Sequence, residues 1–254
     1  MSQHLVRPPV QAGLLVGGSS DLGAAIFTAL LPARGSHVVL AGRPSSRRSA
    51  VAAAMSADHQ VHELDWDARD RARPSAVIDD AAVLCGRSLD LVVIAVGCLS
   101  GGLLDGEDAD AAASCEDALT VNLVAPAGVL VASVEHLVPR GGRVVVVSSA
   151  SATRPRQGIA AYSVAKQGLD QLARIAARRA GDVSIHVVRP GHVRTAMTRG
   201  LPQPPLTRDP EQVAEDVVAG IAAGRTIIWS PSTMATAMRV LRAVPRALLP
   251  KSLA

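Results

Sequence analysis

The stretch LLVGGSSDLGAAIFTALL at residues 14–31 decides how the chain is read. Its first three residues are aliphatic and close an apolar run, as expected of a strand covered on both faces. Gly17, Gly18 and Gly23 lie in a tight turn, and apolar residues then recur at helical spacing. Strand, glycine turn and helix in that order bring backbone close to an anion. Glycines put no side chain in the way, and the helix amino end offers free N–H groups and partial positive charge. Gly17, Gly18, Ser19, Ser20, Leu22 and Gly23 are therefore candidate pyrophosphate contacts. Asp21 stands among them. A carboxylate there repels a pyrophosphate, yet an aspartate can also cap the following helix through its side-chain oxygen, and that role is expected of it.

Outward from this loop the pattern repeats. Residues 12–18, 36–42, 60–64, 89–97, 142–149, 184–191 and 226–231 read as strands, most of them continuously apolar. Ala-rich segments between them are long enough for the crossover helices that parallel strands require. Seven such units predict an α/β fold: a single doubly wound Rossmann domain with a seven-stranded, mainly parallel sheet flanked by helices. Residues 1–231 form this domain, and 232–254 a basic amphipathic tail. Residues 198–210 hold four prolines and read as a loop after the sixth strand, at the sheet end where ligands bind in such folds.

Composition narrows the function classes. Apolar residues make up 48% of the 254, enough for a substantial core, with aromatics at only 2%. A net charge of +4 without a Lys/Arg run gives no nucleic-acid footprint. Cys85, Cys98 and Cys115 are odd in number and form no C-x-x-C, which favours a reducing compartment. No signal peptide is evident, and the longest apolar run, at 91–99, is about half of what a membrane span needs. A cytoplasmic protein is expected, with membrane-surface contact left open. His59 and His62, three apart, are too weak a pattern for a metal site.

Tyr162 is the only tyrosine, and Lys166 is one of two lysines. In the helical stretch AAYSVAKQG they are four apart and share a face. A lysine cation beside a phenol is expected to lower its pKa, making it useful for proton transfer near neutrality. The second strand ends in AGRPSSRR with no acidic residue for a ribose 2′-hydroxyl. Arg43 stands at that distance and can accept a 2′-phosphate, so NADP(H) is preferred, with NAD(H) as the alternative.

The glycine loop resembles the T-G-x-x-x-G-[I/L]-G turn of the short-chain dehydrogenase/reductase family, with Val16 for Thr and Asp21 for the middle glycine. The resemblance covers essentially the whole chain and implies a catalytic set. Ser149 closes the fifth strand thirteen residues before Tyr162, the family's spacing for its catalytic serine. Taken alone, it reads as a strand-closing serine. Asn122 in ALTVNLVAP matches the family's helix asparagine, implying a water relay behind Lys166. Asp65 matches the acidic contact to the adenine amine. RPGHVRT matches the P-G-x-V-x-T turn, so Pro190, Gly191, Val193 and Thr195 would flank a nicotinamide. Of the family's N-N-A-G only Gly97 remains, in IAVG. The implied reaction is hydride transfer between a nicotinamide and a carbonyl carbon. Ser149 would bind the developing oxyanion, Tyr162 would donate the proton, and Lys166 would also hold the nicotinamide ribose. The family commonly forms homo-oligomers through the helices carrying Asn122 and Tyr162.

Residues 14–23, 187–215 and 227–251 further resemble an actinobacterial subgroup that reduces a polyprenyl-phosphoryl 2-keto-pentose made by a partner oxidase, in cell-wall arabinan synthesis. That implies a lipid-linked keto-sugar substrate. The alternatives are a soluble ketone, a carrier-bound keto-acyl group, or a non-enzymatic cofactor-binding scaffold. The tail sets Met, Val and Leu against Arg239, Arg242, Arg246 and Lys251. Such a segment can lie on an anionic membrane, cover a groove for a polyprenyl chain, or pack on the domain or a neighbouring subunit.

Overall fold

Seven parallel strands order as β3-β2-β1-β4-β5-β6-β7 across one sheet. The computed structural model describes residues 9–70, 76–99 and 110–243. The strands are β1 (Ala12–Val16), β2 (His37–Gly42), β3 (Gln60–Asp65), β4 (Leu91–Ile94), β5 (Gly142–Val147), β6 (Val183–Pro190) and β7 (Ile227–Ser230). The helices are α1 (Asp21–Leu30), α2 (Ser46–Met55), α3 (Ala76–Cys85), α4 (Ala111–Leu119), α5 (Ala125–Leu137), α6 (Ala160–Ala176), α7 (Pro210–Ala222) and α8 (Met234–Ala243). All seven expected strands are present, and every neighbouring pair is parallel.

Successive strand side chains point to opposite faces, so each strand feeds two cores. Leu14, Val39, Ile94 and Val144 pack on one face with Leu130 of α5 and Leu169 of α6. Leu15, Leu40, Val93 and Val145 pack on the other with Ile26 and Phe27 of α1 and Val217 of α7. Burial on both faces explains the continuous apolar runs. β3 is the exception. It is an edge strand whose residues are exposed or half-buried, which is why its sequence carries polar residues instead of a continuous apolar run. The strand order reverses between β1 and β4, which makes their carboxyl ends the place for a ligand cleft.

Two boundaries near the cleft differ from expectation. β4 stops at Ile94, and the backbone from Ala95 leaves the sheet. The proline-rich segment is irregular as expected, but its fourth proline, Pro210, opens α7, where the absent N–H costs nothing. Asp209 and Gln212 close that helix start reciprocally. Of the tail, α8 is described, while 244–254, with Arg246 and Lys251, lie outside the described residues, as does the side chain of Arg242. The helical run from Ala111 to Leu137 is long and apolar enough to cross a bilayer by length and composition. Half of it is nevertheless buried in the domain, as a core helix is.

Candidate active site

At the end of β1 the N–H groups of Gly17 and Gly18 both donate to Ala41 O at 2.8 Å, tying the turn to β2. Gly17 has φ +98°, and a Cβ there would lie 2.8 Å from Val96 N. The turn therefore needs glycine for both conformation and space. A Cβ on Gly23 would come 2.6 Å from that of Ala95, so glycine also lets α1 sit close to β4's continuation.

The expected cap is corrected. Ser20, in extended conformation, caps α1 by accepting from Gly23 N at 3.0 Å. Asp21 is already the first helical residue, where backbone dihedrals no longer let its side chain reach back. Its carboxylate instead pairs with Arg47 and accepts from the N–H of Ala196, at 2.8 Å and 175 residues away. Arg43 and Arg47 both line the cleft. Arg47 was overlooked in the sequence, although it lies in the same SSRR segment. Arg48 is buried and grips Glu63 at 2.6 Å, Asp65 at 2.7 Å and the carbonyls of Gly42 and Leu64. Asp65 is thus turned toward Arg48, and Trp66, Asp67 and Arg69 line the cleft in that region.

The opposite wall starts from a widened turn. Thr120–Val124 forms a π-helical segment between α4 and α5, a local geometry that often marks a functional site. It aims Asn122, fully buried, at the chain leaving β4. Asn122 Oδ1 accepts from Cys98 N at 3.1 Å, while Nδ2 donates to Cys98 O at 3.0 Å and Ala118 O at 2.9 Å. A Cβ on Gly97 would lie 2.9 Å from Asn122 Oδ1 and 3.3 Å from Lys166 Nζ. The surviving glycine of the N-N-A-G position is therefore what lets these two side chains approach the same stretch of backbone.

Tyr162 and Lys166 share one face of α6. Lys166 is buried, and its Nζ donates to Val96 O at 3.2 Å and Val147 O at 3.1 Å. It lies 5.9 Å from the Tyr162 ring centroid. Burial pushes the Lys166 ammonium down to about 8. Burial also raises the Tyr162 phenol above its ordinary value, and the Ser149 hydroxyl and the charge of Arg156 offset this only in part. The expected depression of Tyr162 by Lys166 is therefore not what this arrangement gives: desolvation is the stronger influence, and the amine is engaged with two carbonyls. Ser149 caps a short 3-10 turn, Ala150–Thr153, with its Oγ 2.9 Å from Ser151 Oγ.

A cleft of about 510 Å³ gathers these groups. Ser149, Tyr162, Lys166 and Gly97 line one part. Gly17, Ser19, Ser20, Asp21, Leu22 and Arg43 line another, and Pro190, Gly191, Val193 and Thr195 close it. Gly18, Gly23 and Asn122 lie outside its lining and shape its wall, and Asp65, with its side chain largely exposed, braces Arg48. Ser148 and Cys98 also line it, and no motif or spacing marks either as a site residue.

A sequence model of the short chain dehydrogenase family matches residues 11–205. The chain is 29% identical over 241 residues to an uncharacterized oxidoreductase of Mycobacterium tuberculosis, covering 92% of this chain and 93% of that one. It is 28% identical over 250 residues to trans-4-hydroxycyclohexanecarboxylate dehydrogenase of Sinomonas cyclohexanicum, covering 92% and 94%. A short chain dehydrogenase from Burkholderia cenocepacia, solved in complex with NADP, superposes with a TM-score of 0.76 at 20% identity, covering 94% and 98%. That likeness speaks for the fold.

Proposed function

The chain belongs to the short-chain dehydrogenase family, and from that premise we propose that it is an NADP(H)-dependent carbonyl reductase. The observation that carries the reading is the convergence of Ser149, Tyr162 and Lys166 on a cleft whose far wall is a glycine turn at a helix amino end. That turn fits a dinucleotide: side chains at Gly17 or Gly23 would collide with the backbone and Cβ of 95–96. Gly17, Ser19, Ser20 and Leu22 would hold the pyrophosphate, Arg43 and Arg47 a 2′-phosphate, and Pro190, Gly191, Val193 and Thr195 the nicotinamide end. When bound, a reduced nicotinamide supplies the hydride for the carbonyl carbon. Ser149 donates a hydrogen bond to the carbonyl oxygen as charge develops on it. Tyr162 gives that oxygen its proton, and the raised pKa keeps the phenol loaded for reduction. Lys166, anchored by Val96 O and Val147 O, presents its charge beneath Tyr162 and would reach the nicotinamide ribose. Asn122 fixes the backbone at Cys98 on which this wall is built.

For the substrate, we propose decaprenylphosphoryl-2-keto-β-D-erythro-pentofuranose, reduced to decaprenylphosphoryl-β-D-arabinofuranose in cell-wall arabinan synthesis, with a partner oxidase supplying the keto-sugar. The chain would thus resemble decaprenylphosphoryl-2-keto-β-D-erythro-pentose reductase in activity. Support comes from the sequence of the glycine loop, the 187–215 segment and the tail. The position of α8 agrees with it: Met234 packs on Gly191, and Arg154 donates to Leu241 O, setting the tail beside the serine turn. A cytoplasmic enzyme touching the inner membrane face through this tail follows from that reading. Exposed Val131 on α5 and Val124 and Val138 flanking it, with Val164 and Ile175 on α6, offer a face for a homo-oligomer. A second reading, a soluble cyclic ketone as substrate, is favoured by the likeness to the hydroxycyclohexanecarboxylate dehydrogenase. NADPH oxidation by the purified chain would be followed with the lipid-linked keto-sugar, generated by an isolated oxidase, and with 4-oxocyclohexanecarboxylate. Turnover of the first alone is expected. Turnover of the second alone selects the soluble substrate, and turnover of neither removes the reductase reading.

A further inference from the structure

An ion pair lies behind the cleft and has no part in the chemistry above. Asp170, on α6, is 3% exposed. Its Oδ1 accepts from Arg189 Nη2 at 2.6 Å, and its Oδ2 accepts from Arg189 Nε at 2.8 Å and Ser148 Oγ at 3.1 Å. The Arg189 guanidinium also sits 5.1 Å from the centroid of the Trp229 ring on β7. Each partner adjoins a group at the cleft. Ser148 precedes Ser149, Arg189 precedes Pro190 and Gly191, and Asp170 lies four residues beyond Lys166 and eight beyond Tyr162 on the same side of the helix.

Packing alone does not call for this pair. Ala165, Leu169 and Ala173 already seal α6 against the sheet with no exposed surface. A buried ion pair gains little over apolar residues of similar bulk, although stranding one partner is costly. What a guanidinium fork on a carboxylate adds is geometry, because both hydrogen bonds form in one mutual placement while apolar surfaces can slide. The Asp170 charge is met where it sits, by two hydrogen bonds from the Arg189 guanidinium. Tyr162 and Lys166 respond to burial, the Ser149 hydroxyl, Arg156 and Cys98. We infer that Asp170 is a positioning residue: by gripping Arg189 and Ser148 together it locks α6 to the ends of β5 and β6, so that Tyr162, Ser149 and the Pro190–Gly191 turn keep one register. The inference rests on the reductase reading.

The test is the double variant Asp170→Leu/Arg189→Met, which keeps bulk and strands no charge. Its thermal midpoint should equal or exceed that of the unaltered chain. NADPH affinity and the midpoints of the pH profile should stay put, while kcat per cofactor-binding site falls on the order of 10- to 100-fold. A merely structural role would move the thermal midpoint and leave kcat per folded molecule alone. Unaltered kcat in the folded double variant overturns the inference, as does a loss that only tracks the unfolded fraction. The double variant Asp170→Asn/Arg189→Gln, which strands no charge and keeps an acceptor for Ser148, should lose less activity and serves if the first double variant does not fold. Should the unaltered chain reduce neither probe, the reductase reading fails by itself. Crystal structures then decide the positioning role: displacement of Ser149 relative to Tyr162 in the double variant supports it, and unmoved side chains refute it.

Discussion

On the glycine-loop side of the cleft, charge stands in solvent: the paired side chains of Arg47 and Asp21 keep 48% and 37% of their exposure, and Arg43 is exposed. Across the cleft, Asn122, Lys166 and Asp170 are at most 3% exposed, each with two or more hydrogen bonds to fixed partners. Exposed pairs contribute little to stability and leave their neighbours solvated when removed. Buried polar groups strand theirs, at a cost of several kcal/mol for a charge. The recognition wall should therefore tolerate substitution with graded changes in affinity. The catalytic wall should respond with loss of turnover or of the fold.

The sharpest break should come from Tyr162→Phe. It removes one oxygen, and kcat should drop by roughly 10²–10⁴-fold, the usual worth of a positioned proton donor, while NADPH affinity stays unchanged. Equal loss of both would mean that the ring, not the hydroxyl, holds the site. The pH dependence of folding tests the same wall. Unfolded lysine keeps its proton to about pH 10.4, whereas folded Lys166 releases it near 8. Between those values the unfolded chain binds more protons, so this residue makes stability rise with pH. From pH 7.5 to 9.5 the gain is about 2 kcal/mol. Cys85 works in the opposite direction, because burial raises its thiol to about 11, and its contribution falls once unfolded thiols ionise. Chemical denaturation of the unaltered chain and Lys166→Met at both pH values cancels the cysteine. A pH-independent difference between them would remove the buried-lysine account.

Much of this was legible in the sequence where the physics is local or periodic. Aliphatic runs mark the strands covered on both sheet faces, edge strand β3 excepted, and the Tyr162–Lys166 pairing follows from helix spacing alone. The remainder depends on contacts remote in sequence. β4 ends early because the backbone at Cys98 turns to meet the Asn122 amide, and nothing near residue 95 announces that. The π turn at Thr120–Val124 leaves no compositional mark. Asp is a good helix cap, but Ser20 stands one residue nearer the turn, and its oxygen accepts the Gly23 amide in place of Asp21. Asp170 and Arg189 lie 19 residues apart, on a helix and a strand. A buried arginine after Val187 and Val188 at the end of β6, and an aspartate on the Tyr162–Lys166 face, are the signals available.

On the recognition wall the effects should be smaller and separable. Arg43→Ala and Arg47→Ala should each weaken NADPH binding by roughly tenfold, as a charge-assisted contact to a phosphate is worth about 1.5–3 kcal/mol. NADH binding should not change, and stability should move within about 0.5 kcal/mol. Equal weakening of both cofactors would place these arginines at the pyrophosphate instead. The smallest effect belongs to Asp21→Asn. The amide keeps an acceptor for Ala196 N–H, so the tie between glycine loop and the Pro190–Thr195 turn survives, while Arg47 loses its carboxylate. Freed of that partner, Arg47 should meet the 2′-phosphate with less competition, and NADPH affinity should rise a few-fold, an exposed pair being worth about 1 kcal/mol or less. The rise should shrink as salt screens the surface. A fall in affinity at all ionic strengths would instead mean that Asp21 holds Arg47 in the orientation the cofactor needs, and that even the solvent-facing wall is positioned by its ion pair.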